Sequence, residues 1–303
     1  MKSYQSIITI LSVLVCVLNA QVYLNTITPT PTNVLQSFNL DDSSDFSTVF
    51  LNASMNIFSV IYRDTTQEDL QFVASFDSNS ISVVNSNYTS GSIYKVKTVP
   101  LPNNLQTSQL SSFFTSYWNP PMVYFLSQVD TVVSLNSLNL NNHRISTWNL
   151  LNQKVSSVQG VLNTQGNYLV VSVLNNQYIA VDVDPSSKSI VQKAQIAPSH
   201  TPAQIFKLVG FNSNSFIYEL QGPNVFIQQV NWKDNSLTLV STVVVGPGVT
   251  DINVFFNQGW VLMTVYIFEK TDVYIISNYD FSIEKYTTLP IAQSETCVLF
   301  AHY

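Results

Sequence analysis

Short apolar runs led by an aromatic residue recur along this chain, and turns of Asn, Asp, Ser and Gly separate them. The leading residues are Tyr23, Phe72, Tyr124, Tyr168, Phe216 and Trp260, at intervals of 49, 52, 44, 48 and 44 residues. The runs are short and rich in Val, Ile and aromatics, and their boundaries carry turn residues, so they predict β-strands. No helical period competes with this pattern. A regular interval of this length marks a repeat in which each unit is one supersecondary element.

Within each unit the strands fall at set distances from the lead. In the unit of Phe72, Phe72-Val-Ala-Ser-Phe76 is followed by a turn at 77–80, a strand at 81–84 and another at 93–99, and Pro100 closes it. Across the units of Phe72, Tyr124, Tyr168, Phe216 and Trp260, that last strand begins 21, 21, 22, 21 and 23 residues after the lead. A closing proline follows at 28, 30, 31 and 30 residues in four of them, as Pro100, Pro198, Pro247 and Pro290. A further strand precedes each of these leads, at 57–62, 113–118, 158–162, 205–209 and 252–256. The unit of Tyr23 lacks such a strand, whereas an unassigned apolar run, Thr296-Cys-Val-Leu-Phe-Ala301, lies at the C-terminal end.

Four short strands per unit of roughly 40–50 residues resemble the blades of a β-propeller. The resemblance covers the chain from residue 21 to residue 303 and is architectural. The Trp-Asp dipeptide of WD40 blades and the paired glycines of kelch blades are absent. The expected fold is a six-bladed β-propeller of four-stranded antiparallel blades. Pairing the C-terminal strand with the N-terminal blade closes it and removes the exposed strand edges. Five or seven blades, or a pair of β-sandwich domains, are the alternatives.

Composition adds a compartment. Lys2, the apolar segment 7–18 and the small residue Ala20 have the order of a signal peptide over residues 1–20, which leaves one domain at 21–303. The apolar segment is shorter than the roughly 20 residues a membrane span requires. The product is expected to be secreted or held in the secretory lumen, without stable membrane insertion. Cys16 departs with that segment, so Cys297 remains as a lone cysteine that cannot staple its own chain. In an apolar run it reads as a small buried hydrophobe.

Charged residues are 10% of the chain against 46% hydrophobic, and the net charge is −6 without a run of Lys or Arg. Nucleic acid is therefore not an expected partner, since it requires a basic footprint. Two Asn-x-Ser/Thr sequons, at Asn52 and Asn87, are expected glycosylation sites in exported loops.

Catalytic signatures such as Gly-x-Ser-x-Gly, His-Glu-x-x-His and the phosphate loop are missing, and no cofactor or metal site is assigned. His143 reads as a solvated turn residue, His200 as part of an inter-blade connection and His302 as structural. Asp182-Val-Asp184 places two carboxylates on one strand face just before a Pro-Ser-Ser turn. Asp251 and Glu295 begin innermost strands, where calcium-dependent six-bladed hydrolases place acidic ligands. Trp118 and Trp232 stand at strand ends, where rings can grip a sugar or peptide or simply pack. The leading expectation is a non-enzymatic binding or scaffold protein that engages a protein or glycan. A calcium-assisted hydrolase or lactonase, and a structural matrix or coat component, are the competing readings.

Overall fold

The computed structural model describes residues 22–28, 34–39, 46–51, 55–64, 69–87, 89–102, 105–116, 121–163, 166–197, 202–203, 205–211, 214–257, 260–268, 270–289 and 296–301. Strands β1 (Val22–Thr28), β2 (Val34–Asn39) and β3 (Phe46–Phe50) come first. Five sheets follow, each from one continuous stretch of chain. Strands β4 (Asn56–Asp64), β5 (Asp69–Ser75), β6 (Ser80–Asn87) and β7 (Ile93–Pro100) make the first. The second contains β8 (Leu110–Ser116), β9 (Met122–Val129), β10 (Val132–Asn139) and β11 (Arg144–Asn152).

The third comprises β12 (Ser157–Leu162), β13 (Tyr168–Leu174), β14 (Gln177–Asp184) and β15 (Ser189–Ile196). The fourth holds β16 (Phe206–Phe211), β17 (Asn214–Gln221), β18 (Asn224–Asn231) and β19 (Ser236–Val244). The fifth is β20 (Val249–Asn257), β21 (Trp260–Ile267), β22 (Lys270–Ser277) and β23 (Ile283–Leu289). The last strand, β24 (Thr296–Ala301), pairs antiparallel with β1, setting Leu299 opposite Leu24, and completes a four-stranded sheet with β2 and β3.

The chain is an all-β propeller of four-stranded antiparallel blades. The first strands of the continuous blades lie side by side in the order β4, β8, β12, β16, β20, and β24 touches both β20 and β4. Blades therefore stack face to face, and the core lies between them. Strand β13 shows the consequence. Its even-numbered Tyr168 and Val170 pack with Leu126, Val133 and Leu135 of the preceding blade. Its odd-numbered Leu169 and Val171 pack with Phe206, Leu208 and Ile217 of the following one. Both faces are buried, so the middle strands read as continuous apolar runs and not as alternation. Each such side chain contributes about 1.5–3 kcal/mol by leaving water. The outermost strands β7 and β15 expose most of their residues.

Two further regularities recur in the continuous blades. The pairing of third and fourth strands is interrupted by a register shift in all five, at Asn85/Ser86, Val133/Ser134, Asp182/Val183, Ile227/Gln228 and Val273/Tyr274. Such bulges bend a strand and increase its twist. The hairpin joining those strands carries a left-handed residue shortly before the fourth strand: Gly91, His143, Lys188, Asn235 and Phe281, with φ of 69, 56, 53, 50 and 56°. Asn and Asp upstream stabilise these turns. The Asn139 Oδ1 atom accepts the backbone N–H groups of Asn141 and Asn142 at 2.9 and 3.1 Å.

Candidate functional site: a cleft between two blades

Antiparallel order sends the hairpins between third and fourth strands to one end of each blade. At that end the blade of β4–β7 and the blade of β8–β11 leave an open cleft of about 350 Å³. Gln71 of β5, Asn85 of β6 and the lysines Lys95 and Lys97 of β7 form one wall. The opposite wall is Pro121 with Leu140, Asn141 and His143 of the β10–β11 hairpin, and Ile61 and Val83 add an apolar surface.

Lys95 and Lys97 reach the same cleft because residues two apart on a strand share a face. The left-handed hairpin geometry presents His143 to them. Partial desolvation, then the charges of Lys97 and Lys95, hold its imidazole below the ordinary histidine range, so it is neutral at pH 7. Gln71 Nε2 donates to Asn85 Oδ1 at 3.3 Å, which leaves the Asn85 amide N–H groups available as donors. Among the described residues, no Asp or Glu lines the cleft.

The next junction, between the β8–β11 and β12–β15 blades, shows what closes such a space. There Tyr124, Trp148 and Pro185 fill the equivalent region and leave a cavity of about 10 Å³. Trp148 is the bulky side chain that the β4–β7 blade lacks.

The residues singled out in the sequence disperse over the molecule. His143 is a half-buried wall of the cleft and not a freely solvated turn residue. Asp182 and Asp184 part company. Asp184 takes the backbone and hydroxyl groups of Ser186 and Ser187, which depress its carboxyl to about 2, whereas Asp182 is buried and burial pushes its carboxyl up. Asp251 does stand on an innermost strand, but Lys207 of the neighbouring innermost strand approaches it at 3.8 Å. Among the described residues, no three His, Cys, Asp or Glu side chains converge to hold a metal.

Trp232 packs partly buried against the core that contains Leu169 and Phe206, which favours packing over ligand capture. Asn87 ends β6 at the same end as the cleft, and its Oδ1 accepts the N–H and the hydroxyl of Ser90 at 2.7 and 2.8 Å. Residues 1–20, Asn52, Trp118, His200, Glu295 and His302, and the side chain of Cys297, lie outside the described residues. Among the described residues, no helix is long and apolar enough to cross a membrane.

No family model matches the chain, and no curated protein is similar to it in sequence. Solved structures are similar in fold. A functionally unknown protein from Desulfotomaculum acetoxidans is 12% identical with a TM-score of 0.53, over 88% of this chain and 79% of that one. TolB from Acinetobacter baumannii is 14% identical with a TM-score of 0.56, over 91% of this chain and 65% of its own, slightly under two thirds of its length. An apocarotenoid oxygenase from Synechocystis is 12% identical with a TM-score of 0.51, over 92% and 74%. Identities this low establish the shared fold alone, and fold does not carry function.

Proposed function

We propose that this protein is a secreted, non-enzymatic binding protein, a closed six-bladed propeller that holds a glycan or protein group in the cleft between the β4–β7 and β8–β11 blades. The observation that carries the reading is that one blade junction is open by about 350 Å³ and polar-walled. The adjacent junction is packed shut around Trp148. A volume in the range of ~300–1,000 Å³ with a few convergent polar groups on an apolar floor is the usual form of a small-ligand site. Six blades agree with the neighbour order of the innermost strands and with the pairing of β24 to β1. Export rests on the signal-like segment at 1–20, and glycosylation at Asn52 and Asn87 goes with it.

Leu140→Trp tests the reading, because it fills the cleft as Trp148 fills the next one, without altering charge. Binding of the purified protein to an immobilised panel of glycans and peptides is expected to fall at least tenfold in this variant, with its melting temperature unchanged. Undiminished binding by the folded variant would place the ligand elsewhere.

A further inference from the structure

Resting on that reading of the cleft, we infer that its ligand is an acidic sugar, one saccharide ring bearing a carboxylate or sulfate group that the two lysines clamp. The chain carries 18 acidic residues against 12 Lys and Arg, yet among the described residues the walls of this cleft hold Lys95, Lys97 and His143 and no carboxylate. Lys285 contacts Asp272 at 2.7 Å and Lys207 approaches Asp251 at 3.8 Å, whereas neither Lys95 nor Lys97 has an acidic partner among the described residues. Two like charges on one strand face repel, and an oxyanion between them relieves that repulsion while accepting charge-assisted hydrogen bonds.

The remaining lining suits a sugar ring. The amides of Gln71, Asn85 and Asn141 pair with hydroxyl groups, and Ile61, Val83, Pro121 and Leu140 offer an apolar face to ring C–H groups. The space of about 350 Å³ admits one substituted ring and not the several residues of an extended acidic peptide. His143 deepens the preference. Burial first, and the lysine charges second, hold its imidazole down, and an anion that cancels the lysine charges removes that second part and eases its protonation.

Isothermal titration calorimetry at low and high salt tests this. The probes are a sulfated galactan tetrasaccharide that carries no carboxylate, an oligogalacturonate, a neutral cello-oligosaccharide and a poly-glutamate peptide. The variants are Lys95→Gln, Lys97→Gln and, as a charge control on an exposed strand, Lys193→Gln. One of the two acidic saccharides should bind, and the other only weakly, which separates sulfate from carboxylate. Each cleft substitution should weaken that binding roughly ten- to a hundredfold, the range for a lost hydrogen bond to a charged group. It should also flatten the salt dependence, and Lys193→Gln should do neither. Neutral saccharide binding that Leu140→Trp abolishes and the lysine variants leave intact would overturn the acidic ligand while keeping the cleft. Preference for the acidic peptide, equal loss in Lys193→Gln, or no saccharide binding at all would also overturn it.

Discussion

The Tyr178 hydroxyl donates to the Glu219 carboxylate at 2.8 Å across the junction between the β12–β15 and β16–β19 blades, where both side chains are fully buried. Glu219 also accepts the Ala203 N–H at 2.6 Å, the Gln228 side chain at 2.6 Å and the Gln221 side chain at 3.1 Å. A buried carboxylate is tolerated only when its oxygens are this well supplied. The network ties the two blades together through buried polar side chains. Tyr178→Phe should therefore destabilise the fold by about 1–3 kcal/mol, the cost of an unmade buried hydrogen bond to a charged group. The midpoint of urea unfolding measures it.

Gly160 holds the preceding junction close. A methyl group at this position would lie 2.5 Å from the Tyr168 ring and 3.0 Å from Leu126. The Tyr168 hydroxyl donates to the Ser112 carbonyl at 2.6 Å, and the Ser112 Oγ accepts the Gly160 N–H at 3.0 Å, so neither ring nor strand can retreat freely. Gly160→Ala should cost about 1–3 kcal/mol by overpacking. Thermal unfolding provides the readout.

Asp182 and Asp184 should oppose one another as pH changes. Burial raises the Asp182 carboxyl in the folded state, with Asn167 offsetting part of the rise, so its stabilising contribution is greatest in acid and is lost as pH rises through the folded value. Asp184 is depressed to about 2 by Ser186 and Ser187, so its contribution is present above the unfolded value of about 3.9 and disappears as pH falls toward 2. Asp182→Asn should be more stable than the native chain at neutral pH, and Asp184→Ala less stable. Both differences should shrink in acid when unfolding midpoints are compared across that range.

Binding in the cleft should be tied to protons. Lys95 and Lys97 of β7 are the charged groups facing His143, while β5 and β6 present the neutral Gln71 and Asn85. Burial lowers the histidine first and the lysine charges lower it further; an anion that cancels those charges lifts this second part, so affinity should increase as pH falls through the depressed value of the free protein. Calorimetry in buffers of different ionisation enthalpy should show proton uptake, and His143→Gln should abolish it.

Export and modification have a direct check. Asn87→Gln and Asn52→Gln should each remove one glycosidase-sensitive mass increment from the secreted protein.

Much of this architecture is legible in the chain. The aromatic leads fall in the second strand of each blade, and Phe72, Tyr168 and Phe216 are buried there because that strand is covered on both faces. Apolar runs and turn residues report on local structure, so strands and hairpins could be placed. The bulge between third and fourth strands is not legible there, since one extra residue leaves no compositional mark. The cleft is hidden for a different reason. Lys95 and Lys97 sit two apart in a predicted strand, but nothing local marks their face as the wall of a cleft. His143 lies 46 residues beyond Lys97, and only blade stacking brings the two together. The missing counterpart of Trp148 was equally hidden, because an open junction is defined by what its neighbour fills.

Hydrogen–deuterium exchange of the full chain, with and without saturating acidic saccharide, tests the central claim most directly. The account predicts protection confined to the start of β7 and to the β10–β11 hairpin around His143, with the β14–β15 hairpin around Lys188 unaffected. Protection centred on the innermost strands β16 and β20 near Lys207 and Asp251, or none at the His143 hairpin, would contradict it.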